Sequence, residues 1–155
     1  MAANPIGDTG NELLLRGAAL ALIVALVLAW CLLGIGLEVP GFGVIFSGKY
    51  SRVLQAHLDF LIMSALILGF YGARVPLAAP VRWAMVIGAF TNSSLFLAMA
   101  IFPALDPTSM PRQHGALQDF FLVCNFASFI ITSFGFGRGA VIVFRSTWPR
   151  RASQA

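Results

Sequence analysis

The sequence is poor in charge. Of its 155 residues, 10% are Asp, Glu, Lys or Arg and 59% are hydrophobic, and the mean hydropathy is +0.86. Soluble domains usually carry about 25% charged residues. A soluble fold of this length could not cover its surface with so few polar groups. The composition therefore argues against a soluble domain and predicts a single membrane domain over residues 1–155.

The sequence also lacks the motifs of several common chemistries. The two cysteines, Cys31 and Cys124, lie in different apolar runs and form no CxxC pair, which argues against a thiol–disulfide relay. Two buried free thiols are the simpler interpretation, with a structural disulfide as the alternative. No Ser-His-Asp triad, HExxH sequence or zinc-ligand spacing is recognisable. The glycines of 135–139 have neither a preceding strand nor the GK[ST] ending of a phosphate loop.

Four apolar runs are present, and each can cross about 30 Å of hydrocarbon as a helix. They cover roughly 14–37, 53–73, 82–103 and 117–137, and the last can continue as helix to 144. Every backbone group must be paired within lipid, and runs of this length without period-two alternation indicate helices. The expected fold class is therefore all-α, an integral membrane bundle of four transmembrane helices joined by short loops with proline and glycine.

Basic residues are more frequent on one side of the predicted membrane. The side with both termini holds Arg16, Arg74, Arg82, Arg145, Arg150 and Arg151, with Arg138 near the boundary, and the other side holds Lys49, Arg52 and Arg112. Lys and Arg in short loops favour the cytoplasmic side. We therefore expect both termini in the cytoplasm and the protein in a bacterial inner membrane.

Small residues recur at every fourth position of the first run, at Gly17, Ala21, Ala25 and Ala29. This spacing allows close approach of helices in lipid. It predicts a tight seam, either within the chain or between subunits. The alternative is that alanine is simply common in membrane helices.

Polar residues inside the spans gather in the half of the bundle away from the termini. They are His57 and Asp59 in the second span, Thr91, Asn92, Ser93 and Ser94 in the third, and Gln118, Asp119 and Asn125 in the fourth. Polar groups within a membrane are costly, so each needs a partner or a function. The one-sided distribution argues against a transporter with a continuous polar path. It predicts a pocket that opens to the outer half of the membrane or to lipid.

His57 has two interpretations, a hydrogen-bonded residue at the headgroup boundary or a ligand to a metal or haem iron. Asp59 lies two positions later, about 200° around a helix, so the two side chains cannot face one cavity. If one faces its own bundle, the other faces lipid or a neighbouring subunit. Because a charge is disfavoured in lipid, this favours a homo-oligomer with a site at or near a subunit interface. His114 is expected to be a loop residue, and Asp119 is alternatively a first-turn acid that complements the helix dipole.

The order of several short motifs is distinctive. Val39-Pro40-Gly41-Phe42 follows the first span, Gln55-Ala56-His57-Leu58-Asp59 opens the second, Thr91-Asn92 lies in the third, and Gln113-His114-Gly115 and Asp119-Phe120-Phe121 lead into the fourth. Over roughly 34–145 this order resembles the small four-helix membrane isomerases, styrene oxide isomerase and hydroxylaminobenzene mutase.

The resemblance implies a homotrimer that binds haem b near its subunit contacts, with His57 at the position of the iron ligand. It implies that ferric iron acts as a Lewis acid on an epoxide oxygen without net redox change. Asn92 and Asp119 match polar positions near the pocket, where they would orient the substrate or the developing charge. The chain departs from the family pattern by lacking an asparagine within 61–64 and by carrying Phe96 where a tyrosine is expected.

Two functional hypotheses follow. The first is a haem b-dependent intramolecular isomerase of a small apolar epoxide, or of a related N–O or C–O substrate, which reaches the site from the bilayer. The alternative is a non-catalytic membrane assembly subunit without a cofactor, which packs through the alanine stripe and the Asp59 face. Neither hypothesis involves nucleic acid. A bound chromophore would distinguish them.

Overall fold

A computed structural model describes residues 10–108 and 115–148. Within these residues the helices are α1 (Glu12–Gly36), α2 (Phe42–Ile45), α3 (Tyr50–Gly72), α4 (Ala79–Ile101) and α5 (Ala116–Ser146), and a short 3-10 helix (Pro103–Leu105) follows α4. The helices α1, α3, α4 and α5 are long and apolar enough to cross a membrane. For the described residues, the prediction of an all-helical fold with four helices able to cross a membrane is confirmed. The fourth span continues as helix beyond residue 144, and the short α2 was not predicted.

The four long helices form an open arrangement. α1 packs mainly on α3, α3 packs on α4, and α4 packs on α5, while α1 makes a smaller contact with α4. α3 and α5 barely touch each other. Only 11% of the most apolar segment of α5 is buried, so this helix is the most peripheral of the four. α3 and α5 therefore flank α4, and the space between them over α4 is named the α3–α5 groove; towards the C-terminal end of α3 the rings of Phe70 and Phe136 meet across it.

The small-residue stripe of α1 forms a seam within the chain. Ala21 and Ala25 are fully buried in one cluster with Ala56 of α3. Gly17 lies against Val86 of α4, and an added Cβ would come within 2.7 Å of the valine side chain. Close approach at these positions explains why small residues recur every fourth position. Of the two partners that the spacing allowed, the structure shows the neighbouring helices of the same chain.

α1 ends in a Schellman motif. The Val39 N–H donates to the Gly34 carbonyl at 2.9 Å, and the Glu38 N–H donates to the Ile35 carbonyl at 3.1 Å. Glu38 occupies the left-handed position of this motif with φ 55°, where glycine is the usual residue. Arg74 takes the same conformation just after α3, also with φ 55°. α1 and α3 therefore each end in a sharp turn in which a non-glycine residue takes the left-handed conformation.

The connection between α2 and α3 closes the last turn of α4. The Gly48 N–H donates to the Ala100 carbonyl at 2.8 Å, and the Ser47 hydroxyl donates to the Ile101 carbonyl at 3.0 Å. Carbonyls in the last turn of a helix have no donors within the helix itself. The two loops at this end of the bundle are thereby fixed to each other.

Candidate functional site

Asp59 lies on the flank of α3 that faces α4. Asn92 Nδ2 donates to Asp59 Oδ2 at 2.9 Å, and the Ser93 hydroxyl donates to the same oxygen at 2.8 Å. Asp59 and Asn92 are half-buried and Ser93 is buried. Within residues 10–108 and 115–148 this carboxyl group forms no salt bridge. A carboxyl group inside a membrane span is therefore bound by neutral donors alone.

His57 lies on the other flank of α3, against α1. Its Nδ1 is 2.8 Å from the Ala25 carbonyl oxygen. Because a carbonyl oxygen only accepts hydrogen bonds, Nδ1 carries the proton, and in the neutral ring Nε2 carries the lone pair. The side chain is half-buried, and Nε2 has no hydrogen-bond partner within the described part of the chain. The geometry therefore orients the imidazole and leaves one nitrogen available as a ligand.

His57 and Asp59 lie on different flanks of α3 and contact different helices of the same chain. The two side chains do face different directions, as their spacing predicts. The inference that one of them must face lipid or a neighbouring subunit is wrong, because α3 packs between α1 and α4 of its own chain. His57 bonds to one of these helices and Asp59 to the other. The opposite directions of His57 and Asp59 therefore no longer support a homo-oligomer, which remains a prediction.

The three predicted site residues do not meet in one place within the chain. His57 bonds to α1, whereas Asn92 bonds to Asp59 on the opposite flank of α3. Asp119 is exposed in the first turn of α5, and its side chain forms no hydrogen bond to the described residues. This position agrees with the alternative interpretation of Asp119 as an acid that complements the helix dipole. His114 lies outside the described residues.

A second polar cluster was not predicted from the sequence. Arg52 binds Asp106 by two bonds, Nη2 to Oδ1 at 2.6 Å and Nε to Oδ2 at 3.0 Å. Thr108 adds its N–H at 2.9 Å and its hydroxyl at 2.8 Å, both to Oδ1. The Asp106 side chain is only 2% exposed. The hydrogen bonds from Arg52 hold the pKa of this carboxyl well below its usual range, although burial acts in the opposite direction.

Lys49 completes this cluster from the exposed side. Its Nζ lies 3.7 Å from Asp106 Oδ2 and donates to the Thr108 hydroxyl at 2.7 Å. The start of α3 is thus joined to the loop after α4. The Asp-Pro-Thr sequence signals a turn at 106–108. Nothing in the sequence pairs that turn with Arg52, because the two residues are 54 positions apart.

The side chains that could ligate a metal limit which metal centre the chain could hold. The described residues contain no group of three or more His, Cys, Asp or Glu side chains that could hold a metal ion. A single oriented imidazole instead suits haem iron, which takes one or two ligands from the protein. Cys31 and Cys124 are both free, as the simpler interpretation predicts, but they are half-buried rather than buried.

No protein-family model, no curated protein and no solved structure matches this chain. The resemblance to the membrane isomerases therefore depends on the order of short motifs alone.

Proposed function

We propose that this chain is a membrane-embedded, haem b-dependent intramolecular isomerase of a small apolar epoxide or a related N–O or C–O substrate. The observation that carries the proposal is the 2.8 Å contact between His57 Nδ1 and the Ala25 carbonyl. Histidines that bind metals commonly donate their second ring N–H to a carbonyl or carboxylate, which fixes the tautomer and the ring orientation. His57 has this arrangement in a span that is mostly apolar.

The surroundings of His57 also suit a haem group. Leu54 and Leu58 lie on the same side of α3 and are exposed, so they offer an apolar wall beside the imidazole. Bound haem iron would supply Lewis acidity toward the substrate oxygen, which is the chemistry that the resemblance implies. The residues of the chain would hold the ring through His57 and exclude water through these leucines. An apolar substrate could enter from the bilayer without crossing an aqueous phase.

The proposal includes a homo-oligomer, a homotrimer by resemblance. Asn92 is the proposed substrate-orienting amide, but in one chain it lies on the flank of α3 opposite to His57. A site that uses both residues needs the Asn92–Asp59 pair of a neighbouring subunit. Asp119, exposed in the first turn of α5, is the second proposed orienting group. The excess of arginine near the termini supports cytoplasmic termini in a bacterial inner membrane.

An absorption spectrum of the purified protein tests the proposal. The chain should be expressed with added haem, purified in detergent and scanned between roughly 350 and 650 nm, where haem absorbs strongly. We expect a strong Soret band that is lost or shifted in His57→Ala. His114→Ala is the matched control, since these are the two histidines of the sequence, and it should keep the band.

The possible outcomes separate the two hypotheses. A Soret band that depends on His57 makes epoxide isomerisation the next assay, with Asn92→Ala expected to lower turnover while the spectrum is retained. A colourless protein after haem-supplemented expression overturns the haem mechanism and favours the assembly-subunit alternative. A band that survives His57→Ala but not His114→Ala would move the proposed ligand to the other histidine.

A further inference from the structure

Three polar side chains in the spans lie at one level of the groove between α3 and α5. Asn92 of α4 bonds to Asp59 of α3 at 2.9 Å. The neighbouring Thr91 hydroxyl is 2.8 Å from the Ser128 hydroxyl, which fixes the level at which α5 passes this point. Asn125 lies one turn before Ser128, about 4.5 Å along the axis. Asp59, Asn92 and Asn125 therefore lie within about one helical turn of each other in depth.

The same three residues share a direction as well as a depth. The rings of Phe70 on α3 and Phe136 on α5 meet at a centroid distance of 5.9 Å, so each marks the side of its helix that faces the other. Asp59 precedes Phe70 by eleven positions, and Asn125 precedes Phe136 by the same number. Eleven residues make about three turns and return a side chain to almost the same face. Asp59 and Asn125 consequently both face the α3–α5 groove, and Asn92 lies on its floor.

The groove holds unused hydrogen-bonding capacity. Asp59 Oδ2 receives two donors, whereas Oδ1 receives none from the described residues. The Asn125 side chain is exposed and forms no hydrogen bond within the described part of the chain. A polar group without a hydrogen-bond partner is strongly disfavoured in hydrocarbon, because nothing there replaces its hydrogen bonds to water. Such a group in a membrane span marks a functional site by default.

The described residues offer no cation to this groove. Arg52 and Lys49 are both committed to Asp106. His57 faces α1 on the opposite flank of α3. The remaining described basic residues, at or near the other ends of the spans, are Arg16, Arg74, Arg82, Arg138 and Arg145.

We infer that the α3–α5 groove is a binding site for a small apolar molecule with a protonated amine head. The ammonium group would donate to Asp59 Oδ1 and to the side-chain oxygens of Asn92 and Asn125, and the apolar body would lie along the same face of α5, beside the exposed Phe129 one turn after Asn125. This arrangement satisfies both unpaired polar groups and neutralises the carboxylate. Within one chain the groove and His57 lie on opposite flanks of α3, so amine binding does not require a bound haem. In the proposed homo-oligomer the Asn92–Asp59 pair would face the haem of a neighbouring subunit, so amine binding is measured on protein expressed without added haem.

The depth of the groove favours a small molecule over a lipid headgroup. Asp59 lies seven positions after Arg52, which is about 10 Å further along the helix. Arg52 belongs to the ionic cluster at the end of the bundle, where headgroups of a bilayer would lie. A phospholipid amine would have to leave that level to reach Asp59, whereas a small arylalkylamine would not.

Binding of 2-phenylethylamine to the full chain in phosphatidylcholine nanodiscs tests the inference. Calorimetric titration should use 2-phenylethanol and 3-phenylpropionate as ligands with a similar apolar body, and empty nanodiscs to subtract partitioning. We expect saturable binding of the amine at neutral pH and none of the carboxylate. Asp59→Asn should weaken amine binding at least about tenfold, which corresponds to the loss of a charged hydrogen bond. Asn125→Ala, at an exposed position that should not affect folding, should weaken it several-fold.

Matched variants keep this result separate from the haem proposal. Glu12→Gln removes an exposed carboxylate elsewhere in the chain, and His57→Ala removes the proposed haem ligand; both should retain amine binding. Equal binding of the amine and the alcohol, or unchanged binding in Asp59→Asn, would overturn the inference. Competition by added phosphatidylethanolamine would instead assign the groove to a lipid headgroup. A change of oligomeric state in Asn125→Ala without ligand would assign it to a second copy of the chain.

Discussion

Arg52 and Asp106 form a two-point ion pair, with Nη2 to Oδ1 at 2.6 Å and Nε to Oδ2 at 3.0 Å. The pair joins the first turn of α3 to the loop after α4. The fork of an arginine side chain matches the two oxygens of a carboxylate, so such pairs fix orientation as well as distance. Together with the bonds of Ser47 and Gly48 to the end of α4, it makes this end of the bundle a single connected unit.

Loss of Arg52 should destabilise the chain more than loss of Lys49. Arg52→Met would leave the buried Asp106 without its main partner, at a cost of about 3 kcal/mol in the free energy of unfolding. Lys49→Met should cost less than about 1 kcal/mol, because Lys49 is exposed and its Nζ is 3.7 Å away. Chemical unfolding in detergent, followed by circular dichroism, compares the two variants. If the two variants lost the same free energy of unfolding, the Arg52–Asp106 pair would not be the dominant contact of this cluster.

Asp106 should also make stability depend on pH in the acid range. Hydrogen bonds from Arg52 hold the pKa of its carboxyl well below the usual range in the folded chain. In the unfolded chain the carboxyl group of Asp106 has a pKa of about 3.9. Its contribution to the free energy of unfolding is therefore complete well above about pH 4. As the pH falls below that value, toward the lowered pKa of the folded state, the contribution is progressively lost.

Comparison with Asp106→Asn measures this contribution. The difference in unfolding midpoint between the native chain and the variant should be constant from about pH 7 to about pH 5. It should narrow below about pH 4, where the unfolded chain takes up the proton. A difference that widens on acidification would mean that the folded carboxyl has a raised pKa, opposite to the geometry.

The spans were predictable because lipid imposes a length and a hydropathy that a helix must meet. Helical geometry also predicted that His57 and Asp59 face different ways. The sequence alone does not show which helix covers each flank of α3, because the order of helices around α3 depends on contacts such as Gly17 with Val86. The bond between Asp59 and Asn92 follows from that order.

The Arg52–Asp106 pair and the capping of α4 were not predictable for a related reason. Both join segments that are brought together by the packing of the helices, and their partners are more than fifty positions apart in the sequence. A basic residue near the start of a span indicates orientation in the membrane in most sequences. Here Arg52 also has a structural partner, which its local sequence does not indicate.

Close packing of α5 on α4 should make Gly135 intolerant of a methyl group. A Cβ at Gly135 would lie 2.6 Å from Met85 N and 2.8 Å from the Ala84 carbonyl carbon, so the backbones would have to separate. We expect Gly135→Ala to lower the free energy of unfolding by about 1–3 kcal/mol. Gly137→Ala is the matched control two positions away, because an added Cβ there meets nothing within 4 Å. It should be neutral or stabilising by up to about 1 kcal/mol.

Unfolding of the two alanine variants in the same detergent would decide this prediction. α5 contacts chiefly α4, so separation of this pair should also loosen the whole helix and speed its hydrogen exchange. Faster exchange along α5 in Gly135→Ala, and not in Gly137→Ala, is the expected pattern. Equal stability and equal hydrogen exchange in the two variants would show that α4 and α5 can separate without a loss of free energy of unfolding.

Replacement of Glu38 by glycine should stabilise the chain. Glu38 holds φ 55° in the Schellman motif after α1, a conformation that costs a residue with a side chain about 1–2 kcal/mol. Glycine removes most of this strain but loses more backbone freedom on folding, so the net gain should be up to about 1 kcal/mol. Leu37→Gly is the matched control, since Leu37 has φ −93° and no strain to relieve. A rise in unfolding midpoint for Glu38→Gly with a fall for Leu37→Gly is expected, whereas a fall in both would mean that the left-handed turn is not strained.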